Sequence, residues 1–407
     1  MKIRSITSFV TPQPKANELL LAPMAAFSRE LVKTCQDAGF EVESTRLAVP
    51  PLLTWLGEEP SQYLKPIQNF EWLTRNYEWH YLSAGPVTPN RTDVYDLIPE
   101  LLAGTTDVFF SGVISDKDAV YPHAVAACAN IIHKASVISA DGFANLRFAA
   151  LANVPPHAPF FPAAYHAPGE PPACSLAMEC ADEAVKAFAE AQSLGEARQS
   201  FIACLEEKAN FLTPICQRVA QKHNVIFKGF DFSPAPFPED WCSLGKAFEL
   251  LGLNAIGQSG SLAAAAFIAD ALDSGNWLKC GFNGLMLAVM EDSVLAARAA
   301  SGALTIKDLL LYSAVCGTGL DTIPLPGDTS VDDLTSVLLD LGALATRLGK
   351  PLTGRLMPIP GKQVGDRTEY DFGYFANSRV MKLDGQKIGP LMANADDLPL
   401  KPRKISN

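Results

Sequence analysis

Apolar and polar positions alternate along this chain in two periods, and the two take turns over its whole length. Residues 2–10 place Ile3, Ile6 and Phe9 among polar neighbours, which predicts a strand ended by Thr11-Pro12-Gln13-Pro14. Residues 16–38 step Leu20, Met24, Phe27 and Leu31 by three and four, a helix that stops at Gly39. The same reading predicts a strand over 40–49 closed by Pro50-Pro51, a helical segment to 77, and a strand-like run at 79–83. A helix at 92–103, a buried strand at 108–114, a helix at 119–135 and a strand at 147–152 follow. Residues 153–172 form a long Pro-rich loop, of a length that inside a compact domain either carries function or lacks order.

Further on, a strand at 173–178 leads to helices at 181–191 and 196–222, and a strand at 225–230 runs into Asp231. Helices at 240–251 and 261–272 flank a short strand at 255–257. Helices at 292–300, 306–313 and 331–348, a strand at 354–358 and strand-like segments over 364–372 complete the pattern. Sustained β-then-α alternation predicts one α/β domain over residues 1–407, with a mostly parallel sheet, helices outside it and a short polar C-terminal tail. Roughly ten such pairs exceed the eight of the common barrel, and counting alone does not separate a closed barrel from an open sheet.

Composition narrows the partners. The chain has 407 residues, 48% of them hydrophobic, and a net charge of −11 without any Lys/Arg cluster beyond the tail. That argues against nucleic acid and against an anionic membrane surface. No apolar run reaches the length of a spanning helix, and the first residues lack the apolar core of a signal peptide. Nine scattered Cys with no closely spaced pair read as reduced thiols, so the expected location is the cytoplasm. Apolar helices outside a sheet leave a face that a homodimer could cover.

Candidate chemistry gathers on loops. Between 312 and 366 two Gly/Pro-rich turns carry Asp321, Asp328, Lys362 and Asp366, and the strand between them carries Arg355. Charged side chains at the ends of buried elements are where α/β proteins place ligand sites. Arg355 and Lys362 would hold an anion, although Arg355 could equally form a structural ion pair with Asp321 or Asp366. His166 and Glu170 share the long loop and could bind a metal or exchange protons; a hydrogen-bonded loop His is the competing reading. His157, in the same loop, is set aside.

Asp231 ends a strand, with Ser233 beside it, and with Asp321 could hold Mg2+ or Ca2+ through oxygen. Asp328 reads equally as a helix cap. The turn Gly257, Ser259, Gly260 and Ser261 opens an apolar helix and would suit an anion, while a Ser cap explains it as well. Asn283 is a candidate ligand contact.

The stretches CGTGLDTIPLPGDT and PIPGKQVGDRTEY, preceded in order by FANLRFAALAN, PFFPAAYHAPGEP, FKGFDFSPAPFP, GQSGSLAAAAFIADAL and GFNGLMLAVMEDS, resemble an uncharacterised family. It is known as domain of unknown function 711, or uncharacterised protein family 0210. The resemblance covers roughly residues 100–385. It implies a large barrel of about ten strands similar to pyruvate formate-lyase, and no activity. Members of that family often carry His where this chain has Ser259 and near Cys280, which favours a changed or lost activity here. Glycyl-radical enzymes share that barrel, and Phe372-Gly373-Tyr374 faintly resembles their radical motif. Tyr370-Asp371 stands in place of its Arg-Val part, no Cys-Cys pair exists, and Cys316 is the best thiol, so the radical reading is set aside.

The expectation is an enzyme for a small anionic metabolite, with His166, Glu170, Asp231 and Asp321 supplying carboxylate and imidazole chemistry, with or without a divalent cation. The alternative is a catalytically silent barrel that binds or senses a ligand.

Overall fold

The computed structural model describes residues 1–13, 16–315 and 317–402. Cys316 and the end of the basic tail lie outside them. The strands are β1 (Lys2–Phe9), β2 (Thr45–Ala48), β3 (Tyr81–Val87), β4 (Val108–Ser115), β5 (Ala119–Val120), β6 (Phe148–Ala152), β7 (Ala173–Glu179), β8 (Ile226–Asp231), β9 (Gly319–Pro326), β10 (Leu352–Ile359) and β11 (Leu398–Pro399). They form one sheet in the order β8-β7-β1-β2-β3-β4-β6-β10-β9, with β5 and β11 attached beside β4.

Neighbours β1, β2, β3, β4 and β6 run parallel to one another. The junctions β1–β7 and β6–β10 are antiparallel, so β7, β8, β9 and β10 all run the other way. The terminal strands β8 and β9 are not paired with each other. The segment between them in sequence makes one parallel bridge to each, Phe230 with Lys279 and Ala288 with Asp321. The fold is therefore mixed α/β, with a sheet that hydrogen bonds do not close.

Period two sorts the side chains of the strands. In β4 Phe110 packs with the helices while Phe109 faces the other way; in β6 Phe148 and Ala150 face the helices while Ala149 and Leu151 do not. The helix-bearing face holds the main core, where Leu334, Leu338 and Leu341 of the helix Val331–Leu348 pack. The opposite face is filled by the long loop over 153–172. Its Phe160 and Ala163 pack with Ala149, Leu151 and Ala288, and its Phe161 and Ala164 with Phe9, Ala48, Phe109 and Ala173. Strand hydroxyls grip its carbonyls: Ser83 Oγ donates to Ala164 at 2.6 Å and Ser175 Oγ to His157 at 3.0 Å. A backbone so enclosed needs these partners.

The sequence reading departs from the structure at several points; residues 119–120, read as the start of a helix, form β5, and the helix is Pro122–Ala135. Residues 319–326, read as a turn, form the buried strand β9. Its Pro324 and Pro326 are tolerated because β9 ends the hydrogen-bonded order and its outer N–H groups have no strand ladder to feed. Residues 255–257 form no strand. The helix expected over 92–103 is split into Thr92–Tyr95 and Ile98–Ala103. Over 364–372 only a single bridge, Arg367 with Arg379, remains.

Candidate functional site

A cavity of about 560 Å3 opens where β1 to β4 begin and where β7 and β8 end. Opposed strand directions thus bring N-terminal and C-terminal strand ends to one mouth. Arg4, Arg46, Arg147 and Arg355 line it, together with Glu43, Asp231 and Glu291 and a group of aromatic rings.

Two of these arginines belong to a buried chain of charges. Arg355 Nε donates to Asp321 Oδ1 at 2.5 Å and its Nη2 to Glu291 Oε1 at 2.7 Å. Glu291 accepts from Arg4 through its other oxygen, and Arg4 also donates to the Pro236 carbonyl. Local irregularities aim both arginines. Arg4 is the extra residue of a bulge in β1, since Ile3 faces Met178 and Ser5 faces Ala177. Arg355 stands opposite two β9 residues, Asp321 and Thr322, because Gly354 pairs with Leu320 and Leu356 with Ile323. Thr322 has a positive φ of 45° at that step.

Burial alone would discharge these groups, and their neighbours decide the outcome. Arg4 and Arg355 hold Glu291 below the ordinary carboxylate range despite its desolvation. Asp321, wholly buried and with Oδ2 lacking a hydrogen-bond partner, is pushed up by desolvation in spite of Arg355.

Arg46 is different. It sits on β2 between Thr7 and Tyr81 in register. Its Nε donates to Ser44 Oγ at 3.1 Å, and the guanidinium lies over the rings of Phe161 and Tyr81 at 5.3 and 6.0 Å. No carboxylate pairs with it among the described residues. Desolvation, then Arg4, lowers its pKa to about 10. Arg147 also lacks a carboxylate partner, but its guanidinium donates to Thr105 and to the carbonyls of Leu102 and Val108.

Behind Arg4 a second group of charges meets. Glu43 and Glu179 both lie near Lys2 Nζ, at 3.7 and 3.4 Å. Glu179 is 2% exposed and its Oε2 has no hydrogen-bond partner. Burial raises its pKa to about 7 against the pull of Arg4 and Lys2.

The residues expected from sequence separate into three sets. Asp231, Ser233 and Arg355 reach the cavity. Asp321 stands behind Arg355. His166, Glu170, Asn283, Lys362 and the turn from Gly257 to Ser261 do not line it. Asp231 Oδ1 accepts from Ser233 N, Ser233 Oγ and Asn283 N, and Oδ2 accepts from Phe282 N. A Cβ at Gly281 would lie 2.3 Å from that Oδ2, so the contact demands glycine. The Asn283 side chain accepts from Phe232 N and Trp277 and donates to the Phe230 and Cys280 carbonyls. Asp231 and Asn283 therefore pin one loop. Among the described residues no group of three or more His, Cys, Asp or Glu side chains could hold a metal ion. The donor set around Asp231 is already engaged with backbone N–H groups, so the residues present do not build a cation site there.

His166 contacts His157, with ring nitrogens 3.0 Å apart, and its other nitrogen meets the Glu170 carbonyl at 3.1 Å. Desolvation, then Lys228 and His166, pushes His157 down to about 4, and desolvation lowers His166. This neutral pair, packed on Phe9, locks the loop in place. Glu170 itself pairs with Lys228. Lys362 pairs with Glu369. Ser261 Oγ accepts from Gly257 N, and a Cβ on Gly257 would lie 2.0 Å from the Ala303 carbonyl, so this turn is shaped by packing. Asp328 is exposed; the following helix is capped by Ser330 and Asp333.

Arg4, Arg46, Glu291 and Glu179 were not singled out from sequence. Arg4 in KIRSITSF and Arg46 in TRLA carry the signal that marked Arg355, a charge inside an apolar strand.

The profile of the family described as Uncharacterised ACR (DUF711) matches residues 1–376. A UPF0210 protein of Pyrobaculum aerophilum is 30% identical over 98% of this chain and 94% of its own length. One from Methanopyrus kandleri is 33% identical over 74% of this chain and 68% of its own, and one from Acetivibrio thermocellus 32% over 70% and 65%.

Proposed function

Because the chain belongs to the uncharacterised DUF711 family, whose description carries no activity, we propose its function from the cavity: an enzyme that takes a small organic anion against Arg46. The carrying observation is that Arg46 faces a cavity of about 560 Å3 without a carboxylate partner, whereas Arg4 and Arg355 are already neutralised. A desolvated cation without an acid is destabilised until an anion arrives, and a bound anion would relieve it. Behind Glu43 of the wall, Glu179 holds a proton near neutral pH, which suits acid–base chemistry beside the ligand.

The same proposal takes the sheet as a barrel similar to pyruvate formate-lyase. The segment over 279–288 would be its tenth strand, parallel to both β8 and β9, and the Arg4–Glu291–Arg355 contacts would draw the two ends together. A second reading, a silent binding barrel, is favoured by one observation: Asp231 and His166 are engaged within the scaffold.

Thermal-shift titration with acetate, succinate, benzoate and phosphate tests the reading. Wild-type protein should be stabilised by at least one organic anion and Arg46→Gln by none. A wild type indifferent to all of them removes the proposal.

The proton on Glu179 has its own signature. Its folded pKa is raised, so the folded state binds the extra proton between the ordinary carboxylate range and about 7, and stability falls as pH rises through that window. Glu179→Gln should therefore gain on wild type by about 1–3 kcal/mol between pH 5 and pH 8. Parallel denaturation curves for the two proteins across that range would leave Glu179 without a proton to offer and favour the silent reading.

A further inference from the structure

We infer that the anion taken by this cavity is an aromatic monocarboxylate, held end-on by Arg46 with its ring among the aromatic side chains of the wall. The inference rests on the proposed anion site and specifies its ligand.

The first argument is the shape of the donor. The Arg46 guanidinium lies over the rings of Phe161 and Tyr81, and ring faces do not satisfy N–H groups as an oxygen acceptor does. Nε is used by Ser44. The two terminal amino groups have no acceptor among the described residues. Side by side in one plane, they match the two oxygens of a carboxylate.

Charge supplies the second argument. Glu43, Asp231 and Glu291 also belong to the wall. Glu291 is spent on Arg4 and Arg355, but Glu43 and Asp231 pair with none of the wall's arginines and would repel the second charge of a phosphate dianion, while one negative charge balances Arg46.

The third argument is the body of the cavity. Phe161 packs edge-to-face on Phe109, and Phe109 on Tyr81, each at 5.4 Å between centroids. Across the lining, Phe143 meets Phe372 in the same manner at 5.1 Å. Arg355 lies over Phe160 at 5.5 Å, so even the neutralised cation presents a ring to the interior. Edge-to-face pairs leave ring faces and edges for a planar guest, which gains over a saturated guest of equal area.

The test is isothermal titration of wild type, Arg46→Gln and Phe160→Leu with 2-naphthoate, its saturated counterpart decahydro-2-naphthoate, 2-naphthol and inorganic phosphate. Melting curves of the unliganded variants confirm that both fold. We expect 2-naphthoate to bind wild type about tenfold more tightly than decahydro-2-naphthoate. Neutral 2-naphthol and phosphate should bind at least tenfold more weakly, Arg46→Gln should lose 2-naphthoate, and Phe160→Leu should narrow the aromatic preference. Decahydro-2-naphthoate binding as tightly as 2-naphthoate overturns the aromatic class and leaves the anion site standing. Phosphate binding best overturns the carboxylate. Equal binding of 2-naphthoate and 2-naphthol, or no binding by any compound, overturns the inference and the anion reading together.

Discussion

Arg355 and Arg46 line the same cavity, yet their surroundings are opposite. Arg355 is held by two carboxylates, Asp321 and Glu291, and through Glu291 it is tied to Arg4. Its bonds join the neighbours β9 and β10 and, through the segment after 288, tie them to β1, far from them in the order of the sheet. Arg46 is held by one hydroxyl and two rings. The difference teaches that a charge in a cavity wall is not in itself a ligand site. A matched one is scaffold, and losing either partner strands the other; an unmatched one waits for something from outside.

Three substitutions probe this contrast. The largest effect belongs to Glu291→Gln, because Glu291 alone bridges both arginines. Unfolding in urea should show a loss of about 3–5 kcal/mol at neutral pH. Since Arg4 and Arg355 hold the Glu291 pKa down, wild type's advantage should shrink as the pH falls through and below the ordinary carboxylate range. A variant as stable as wild type would end the distinction between the two arginines.

Next comes Arg355→Lys, which keeps the charge and loses the fork that reaches Asp321 and Glu291 at once. The same measurement should record a loss of about 1–3 kcal/mol, sharpening the claim that geometry and not charge alone is matched there.

Smallest is Arg46→Met. It removes a desolvated cation without stranding an acid, so stability should change by less than about 1 kcal/mol in either direction. Calorimetric melting would expose a large loss, and a loss comparable to that of Glu291→Gln would make Arg46 scaffold too.

Much of the architecture was legible, because period and breakers act locally. The helix Val331–Leu348 has a capping Ser330 and an apolar stripe, and its bounds could be read directly. β9 was missed because Gly319, Pro324 and Pro326 carry turn chemistry, and only its place at the end of the hydrogen-bonded order makes a strand of them. Arg355 was picked out by standing in an apolar strand, with a structural pair to Asp321 as the competing reading. Arg4 and Arg46 bear the same mark and were passed over. His157 was passed over as well, although it is the partner that fixes the His166 ring.

The sequence by itself determined the alternation of strands and helices, and that an arginine standing in an apolar strand needs an explanation. The tertiary structure alone decided which explanation applies. A side chain's cost of burial depends on what lies within a few ångströms of it, and those neighbours come from residues 4, 291, 321 and 355, joined only when the sheet brings its distant strands to one mouth. The bulges that aim Arg4 and Arg355 are register events between two strands, and neither strand encodes them alone.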